Sequence, residues 1–306
     1  MSIVIIAPTR DCSVWITQLK ALDKTLEIET YPHVSDPDKV SCAVVWLYPH
    51  GVLNKYPNLR LICSMGAGVD HILKDPGLPD VPVTRIVSER LAFSMNTYVA
   101  SAVLNIHRNY EKYRQDQRSK TWDQKTFPEV EVITGIYGFG YLGRKIGITL
   151  RDLGLEVHGY SKSRKKVEGI ATYGEEEESL FLSKINVLVG VLPMTSETNG
   201  IFNYALFRKL RKPTCFINVG RGNQQVEKDI IKALDEGLLS GAVLDVFEHE
   251  PLPKDSPLWE HPKVKLTPHI AGITNPDAAV PQIFENYRAM TKGKELINEV
   301  NKQKGY

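Results

Sequence analysis

Between Val130 and Tyr160 the chain reads as strand, glycine turn, helix and strand, and this segment restricts the fold more than any other. The apolar run 130–137 leads into Gly138-Phe139-Gly140-Tyr141-Leu142-Gly143, after which Ile146, Leu150 and Leu153 follow a helical pattern. A second strand, 155–160, ends about 20 residues beyond the loop. In this setting Gly138 permits the tight turn, Gly140 lets the backbone approach a pyrophosphate, and Gly143 lets the helix pack on the strand. The helix N-terminus adds unpaired N–H groups and the positive end of its dipole. A glycine loop alone is a weak signal, but with these flanks it implies a dinucleotide whose pyrophosphate lies on residues 138–143.

The same alternation of short β-branched runs with helix-length stretches fills the chain, which predicts parallel sheets covered by helices. A first set comprises Ile3–Ala7, a helix near Ser13–Leu22, Ala43–Leu47, Leu61–Ser64 and a weaker candidate at 83–87. Apolar residues at i, i+3 and i+4 then predict one long helix from about Met95 to Gln115. Strands follow at 130–137, 155–160, 187–191, 215–219, 242–245 and 264–266, enough for one complete doubly wound sheet. A last helix, near Pro276–Met290, precedes a polar tail, and Glu175–Glu178 suits the solvated start of a helix.

A chain of 306 residues is too long for one ordinary core. With 42% hydrophobic and 24% charged residues and a net charge of +2, neither nucleic acid nor a membrane surface is expected as partner. No apolar run approaches the roughly 20 residues of a membrane span. The start, Met1-Ser2 before Ile3-Val4-Ile5-Ile6, reads as a first strand rather than a signal peptide. The four cysteines, Cys12, Cys42, Cys63 and Cys215, are far apart; the last three are expected as buried hydrophobes and the compartment as a reducing cytoplasm. No H-E-x-x-H or clustered Cys/His spacing points to a metal.

The residues after the second strand choose the dinucleotide. An NAD site usually places Asp or Glu there for the ribose hydroxyls, whereas this chain has Ser161-Lys162-Ser163-Arg164-Lys165-Lys166. Serines and cations suit a 2′-phosphate, with Arg able to fork onto it. NADPH is therefore expected over NADH, held by Ser161, Lys162, Ser163 and Arg164, while Lys166 suits solvent.

Three later stretches carry a family resemblance: Ile217-Asn218-Val219-Gly220-Arg221-Gly222, Leu244-Asp245-Val246-Phe247-Glu248-His249-Glu250-Pro251-Leu252-Pro253 and Pro268-His269-Ile270-Ala271-Gly272. In this order, with Met65-Gly66-Ala67-Gly68-Val69-Asp70-His71 and Leu192-Pro193-Met194-Thr195-Ser196-Glu197-Thr198, the chain resembles the D-isomer-specific 2-hydroxyacid dehydrogenases over nearly its whole length. Trp46-Leu47-Tyr48-Pro49 and the basic loop look most like the glyoxylate/hydroxypyruvate reductase A branch.

The chemistry also follows from residue types. Reducing a 2-keto acid needs a cation at the carboxylate and carbonyl, which suits Arg221, and a proton donor, which suits His269. Glu250 would orient that imidazole and favour its protonated form. Singly, each could be an ordinary surface or loop residue; together, in family order, they form a catalytic trio, with Glu248 outside it. The resemblance further implies that Ala67 and Gly68 grip the substrate carboxylate and that Asp245 meets the nicotinamide carboxamide. It places Leu192, Pro193, Thr198, Val219, Gly220 and Gly272 along the cofactor. Trp46 either walls the substrate pocket or fills a core, and Tyr48, His50 and His71 stay unassigned. Two departures stand out: Asn96-Thr97 where most relatives carry Ala-Glu, with Asn96 suited to capping the long helix, and Asn186 in place of Asp.

The expected architecture is α/β with two doubly wound domains and an interdomain cleft. A flavodoxin-like substrate domain would join 1–97 to 276–306, and a Rossmann cofactor domain would span 98–275. The expected partners are a small 2-keto acid and a second copy of the chain, since relatives are dimers. Phosphoglycerate, formate or phosphonate oxidoreductases on the same scaffold, and a non-catalytic dinucleotide-sensing regulator, are the rival readings.

Overall fold

A computed structural model describes residues 1–125 and 127–305. It divides into two compact units, 1–91 with 273–306, and 92–272. The chain leaves the first unit within the helix Glu89–His107, between Leu91 and Ala92, and returns between Gly272 and Ile273.

The first unit holds strands β1 (Ser2–Ile6), β2 (Glu27–Thr30), β3 (Val40–Val45), β4 (Leu61–Ser64) and β5 (Val83–Thr84), paired in parallel in the order β2-β1-β3-β4-β5. This is the flavodoxin-like order, and its direction reverses between β1 and β3. Ile3 and Ile5 join Trp15, Leu19, Ile283 and Met290 on one face, whereas Val4 and Ile6 join Leu53, Ile62 and Ile72 on the other. Both faces are covered, which is why the central strands are continuous apolar runs rather than alternating ones.

The second unit holds β6 (Ile133–Tyr137), β7 (Glu156–Tyr160), β8 (Ala171–Tyr173), β9 (Val187–Gly190), β10 (Thr214–Asn218), β11 (Leu239–Leu244) and β12 (Val264–Leu266). Their order, β12-β11-β10-β9-β6-β7-β8, is parallel throughout. It is the doubly wound dinucleotide-binding arrangement with one further strand at the β12 edge. The direction of winding reverses between β6 and β9, so the loops leaving these strands open the crevice where ligands of such sheets bind.

Three details depart from the sequence reading. The edge strands β2 and β8 are absent from it, because Glu-Ile-Glu-Thr and Ala-Thr-Tyr are short and half-exposed and lack an apolar run. The single helix expected over 95–115 is two, Glu89–His107 and Tyr110–Arg118, separated at Asn109, whose φ of 54° is left-handed and easiest for Asn or Gly. The first of these begins well before Asn96, so Asn96 lies inside it and caps nothing. Asn186, by contrast, accepts from the Ile133 N–H at 2.8 Å and donates to the Glu131 carbonyl at 2.8 Å. An aspartate could not make the second bond. All four cysteines are buried and unbridged.

Candidate active site

The glycine loop is built by close approaches. Gly138 has φ 111°, and a Cβ there would lie 2.4 Å from the Val191 carbonyl oxygen; one at Gly143 would lie 2.1 Å from the Gly138 oxygen. A Cβ at Gly140 would meet no protein atom within 4 Å, so the space above this residue is open. Gly140 is also the N-cap of the helix Tyr141–Asp152 and supplies no side-chain cap. Open backbone ahead of an uncapped helix N-terminus fits a pyrophosphate. Phe139 differs from its neighbours in the loop: its side chain is fully buried and its N–H donates to the Tyr160 carbonyl at 2.9 Å. It fastens the loop to β7.

Beyond β7 the basic loop is exposed, and its cations meet carboxylates. Lys162 pairs with Glu197, and Arg164 lies 3.5 Å from Glu177 while donating to the Thr172 carbonyl at 2.8 Å. Ser161 donates to the Ser163 carbonyl at 2.9 Å. Exposed pairs of this kind contribute about 0–1 kcal/mol, so a phosphate dianion can compete for both cations.

Thr198 pins the loop after β9 through its hydroxyl, which donates to the Pro193 carbonyl at 2.7 Å. Leu192 and Pro193 are held from below by Gln224, whose amide donates to both carbonyls at 2.9 Å and whose oxygen accepts from the Arg221 N–H at 3.0 Å. Gln225 bridges Asn218 and the Val246 carbonyl in the same buried layer. These glutamines join the loops after β9, β10 and β11, and the sequence reading passed over them because buried amides carry no motif. Val219 is buried, and a Cβ on Gly220 would lie 2.4 Å from the Gln224 oxygen.

The three residues singled out as a trio come together after β10, β11 and β12. His269 Nδ1 is 2.7 Å from a Glu250 carboxylate oxygen, and both side chains are about one-third exposed. Burial pushes the Glu250 carboxyl up, but the bond and charge of His269, the Phe247 N–H and the Arg221 charge together hold it below the usual carboxylate range. Arg221 donates to the Gly220 carbonyl at 2.9 Å. A Cβ on the next residue, Gly222, would lie 1.7 Å from the Phe247 oxygen, so only glycine brings Arg221 this close to 247–250. Glu248 accepts from the Glu227 N–H at 2.7 Å.

Asp245 organises the histidine loop. Its carboxylate accepts from the Thr267 hydroxyl at 2.6 Å and from the Ile270 and Ala271 N–H groups at 2.8 Å each, while its carbonyl accepts from the His269 N–H at 2.8 Å. The Tyr98 hydroxyl, 2.5 Å from the Thr267 hydroxyl, and Ser94, which donates to the Ala271 carbonyl at 3.1 Å, tie the loop to the long helix. Gly272 follows directly, at the end of this unit.

In the first unit, Ala67 and Gly68 are part-exposed after β4. The Ser64 hydroxyl fixes their turn by accepting from the Gly66 N–H and donating to the Gly68 carbonyl, at 3.2 and 3.0 Å. Trp46 packs on that turn, and a Cβ on Gly66 would lie 2.5 Å from the indole. The Tyr48 ring is buried at the edges of His50 and His71, a structural cluster.

Residues 100–271, more than half of the chain, match the D-isomer specific 2-hydroxyacid dehydrogenase, NAD binding domain. The chain belongs to the D-isomer-specific 2-hydroxyacid dehydrogenases and is an oxidoreductase with a dinucleotide-binding domain. It is similar to a family member from Xanthobacter autotrophicus solved with NADPH and MES, at 35% identity and TM-score 0.95 over 100% of this chain and 99% of that one. It is also similar to the NADPH-dependent glyoxylate/hydroxypyruvate reductase of Sinorhizobium meliloti solved with NADP and sulfate, at 35% identity and TM-score 0.93 over 100% of both chains. A probable 2-hydroxyacid dehydrogenase from Rhizobium etli, solved with NADP, HEPES and L(+)-tartaric acid, matches at 35% identity and TM-score 0.91 over 100% of both. No helix among the described residues is long and apolar enough to cross a membrane.

The lowered Glu250 pKa has a consequence for stability. The ionised group stabilises the fold above the ordinary carboxylate pKa, and that contribution is lost as pH falls through the lowered value. Urea midpoints at about pH 7 and about pH 3 should therefore differ more in the wild type than in Glu250→Gln. Equal differences would contradict the pairing.

Proposed function

We propose that this protein reduces small 2-keto acids of the glyoxylate/hydroxypyruvate type to D-2-hydroxy acids, with NADPH preferred over NADH. The observation that carries the reading is the 2.7 Å contact of His269 Nδ1 with Glu250, in a loop cluster that also holds Arg221. With Nδ1 engaged, Nε2 is left to face a substrate oxygen. The dinucleotide, when bound, supplies the hydride. Arg221 polarises the keto group, His269 delivers a proton from Nε2 to the developing alkoxide, and Glu250 fixes the tautomer and offsets the imidazolium charge. Ala67 and Gly68 offer backbone N–H groups to the substrate carboxylate. Ser161, Lys162, Ser163 and Arg164 supply cations and hydroxyls at the position of a 2′-phosphate, in exchange for the surface pairs with Glu197 and Glu177. The retained trio favours an enzyme over a dinucleotide-sensing regulator.

The test is the initial rate of NADPH and NADH oxidation with glyoxylate, hydroxypyruvate and phosphohydroxypyruvate. Turnover of the first two, faster with NADPH, is expected, and His269→Gln should lower kcat by at least about 100-fold with NADPH affinity unchanged. Reduction of phosphohydroxypyruvate alone, or full activity of His269→Gln, would overturn the reading.

A second copy of the chain covers Trp122 and Phe127 in this reading, since these rings are 87% and 85% exposed in the single chain. Sedimentation velocity should give a dimer that Trp122→Ser with Phe127→Ser dissociates; a wild-type monomer would contradict it.

A further inference from the structure

Arg10 lies in the loop that leaves β1, and Trp46 begins the loop that leaves β3. These are the strands between which the first sheet reverses direction, and ligands of such sheets bind outside the carboxyl ends of the strands at that point. The Arg10 guanidinium carbon sits 4.2 Å from the Trp46 ring centroid, and His71 approaches the same indole at 4.8 Å. Trp46 in turn packs against Gly66, the first residue of the turn that carries Ala67 and Gly68.

Arg10 is partly buried, and burial lowers its pKa from the ordinary guanidinium value. Among the described residues no carboxylate pairs with it. The adjacent Asp11 is directed instead to the Ser13 N–H, 2.9 Å away. A partly desolvated cation held on an aromatic face, with no carboxylate partner among the described residues, is costly to keep, and it offers a forked set of donors to an anion. A neutral apolar side chain would pack on an indole at less cost, so the position suits a charge that is used.

We propose that Arg10 is a specificity-determining residue whose guanidinium, held on Trp46 beside the Gly66-Ala67-Gly68 turn, binds a second acidic group of the substrate. The favoured substrate is then a 2-keto acid whose side chain ends in a carboxylate. Glyoxylate and hydroxypyruvate are reduced without using this contact. The inference rests on the reading above that Ala67 and Gly68 hold the first carboxylate, and on the reductase activity itself.

The experiment compares the full-length wild type with Arg10→Met and Arg10→Lys, using NADPH with glyoxylate and with oxaloacetate. The wild type should favour oxaloacetate by about tenfold or more in kcat/KM, and Arg10→Met should remove that preference through KM. Its glyoxylate kcat/KM should stay within about twofold of wild type, and Arg10→Lys should restore part of the preference. Equal losses on both substrates, or no oxaloacetate preference in the wild type, would overturn the proposal. Calorimetric titration with D-malate separates this from failure of the reductase reading. If no keto acid is reduced but D-malate binds wild type and not Arg10→Met, the reductase reading fails and the subsite stands; equal or absent binding in both sinks the subsite.

Discussion

The Asp245 carboxylate is the point on which the second unit's chemistry depends. It is almost fully buried and is satisfied by three donors from the segment 267–271, with Tyr98 behind one of them. Those bonds hold His269 at φ 55°, a left-handed conformation that costs a non-glycine residue about 1–3 kcal/mol. The bonds from Thr267, Ile270 and Ala271 tie down the chain on both sides of His269 and so hold it in that conformation. The strained turn is therefore stable, and it aims the imidazole at Glu250. Glu250 in turn is fixed by the Phe247 N–H at 3.1 Å and lies within the field of Arg221.

Around this centre the parallel sheet gathers what the chemistry needs. Every strand from β6 to β12 runs the same way, so the loops carrying residues 138–143, 161–164, 192–198, 219–222, 245–250 and 267–272 leave its carboxyl edge. Gly138, Gly143 and Gly222 then allow backbone approaches that a Cβ would block. Buried glutamines stitch the loops beneath and so fix the backbone that carries the exposed polar groups above them.

Much of this was legible in the sequence, for physical reasons. Central strands buried on both faces must be apolar runs, so β1, β4 and β6 stand out, whereas β2 and β8 at the edges do not. Arg221, Glu250 and His269 could be grouped because they stand in the order of the family's motifs, and each proves to follow a strand of the same sheet. Other features depend on tertiary pairing and leave no local trace. The pairing of Lys162 with Glu197 joins residues from loops after different strands. The burial of Phe139 depends on two glycines opposite it, at 147 and 159. The two hydrogen bonds that tie Asn186 to Ile133 of β6 and to Glu131 just before it show only when the strands are assembled. Asn109 could break the long helix without interrupting its apolar stripe, so periodicity alone read straight through it.

The most direct measurement is turnover of Asp245→Asn at saturating NADPH, with the thermal midpoint of the same sample. An amide keeps one acceptor oxygen and turns an NH2 toward backbone N–H donors, so the 267–271 loop should loosen and the midpoint fall. A displaced imidazole should then lower kcat about 100-fold, beyond rescue by more cofactor. Wild-type kcat in this variant would show that the carboxylate does not build the site, and would contradict the account.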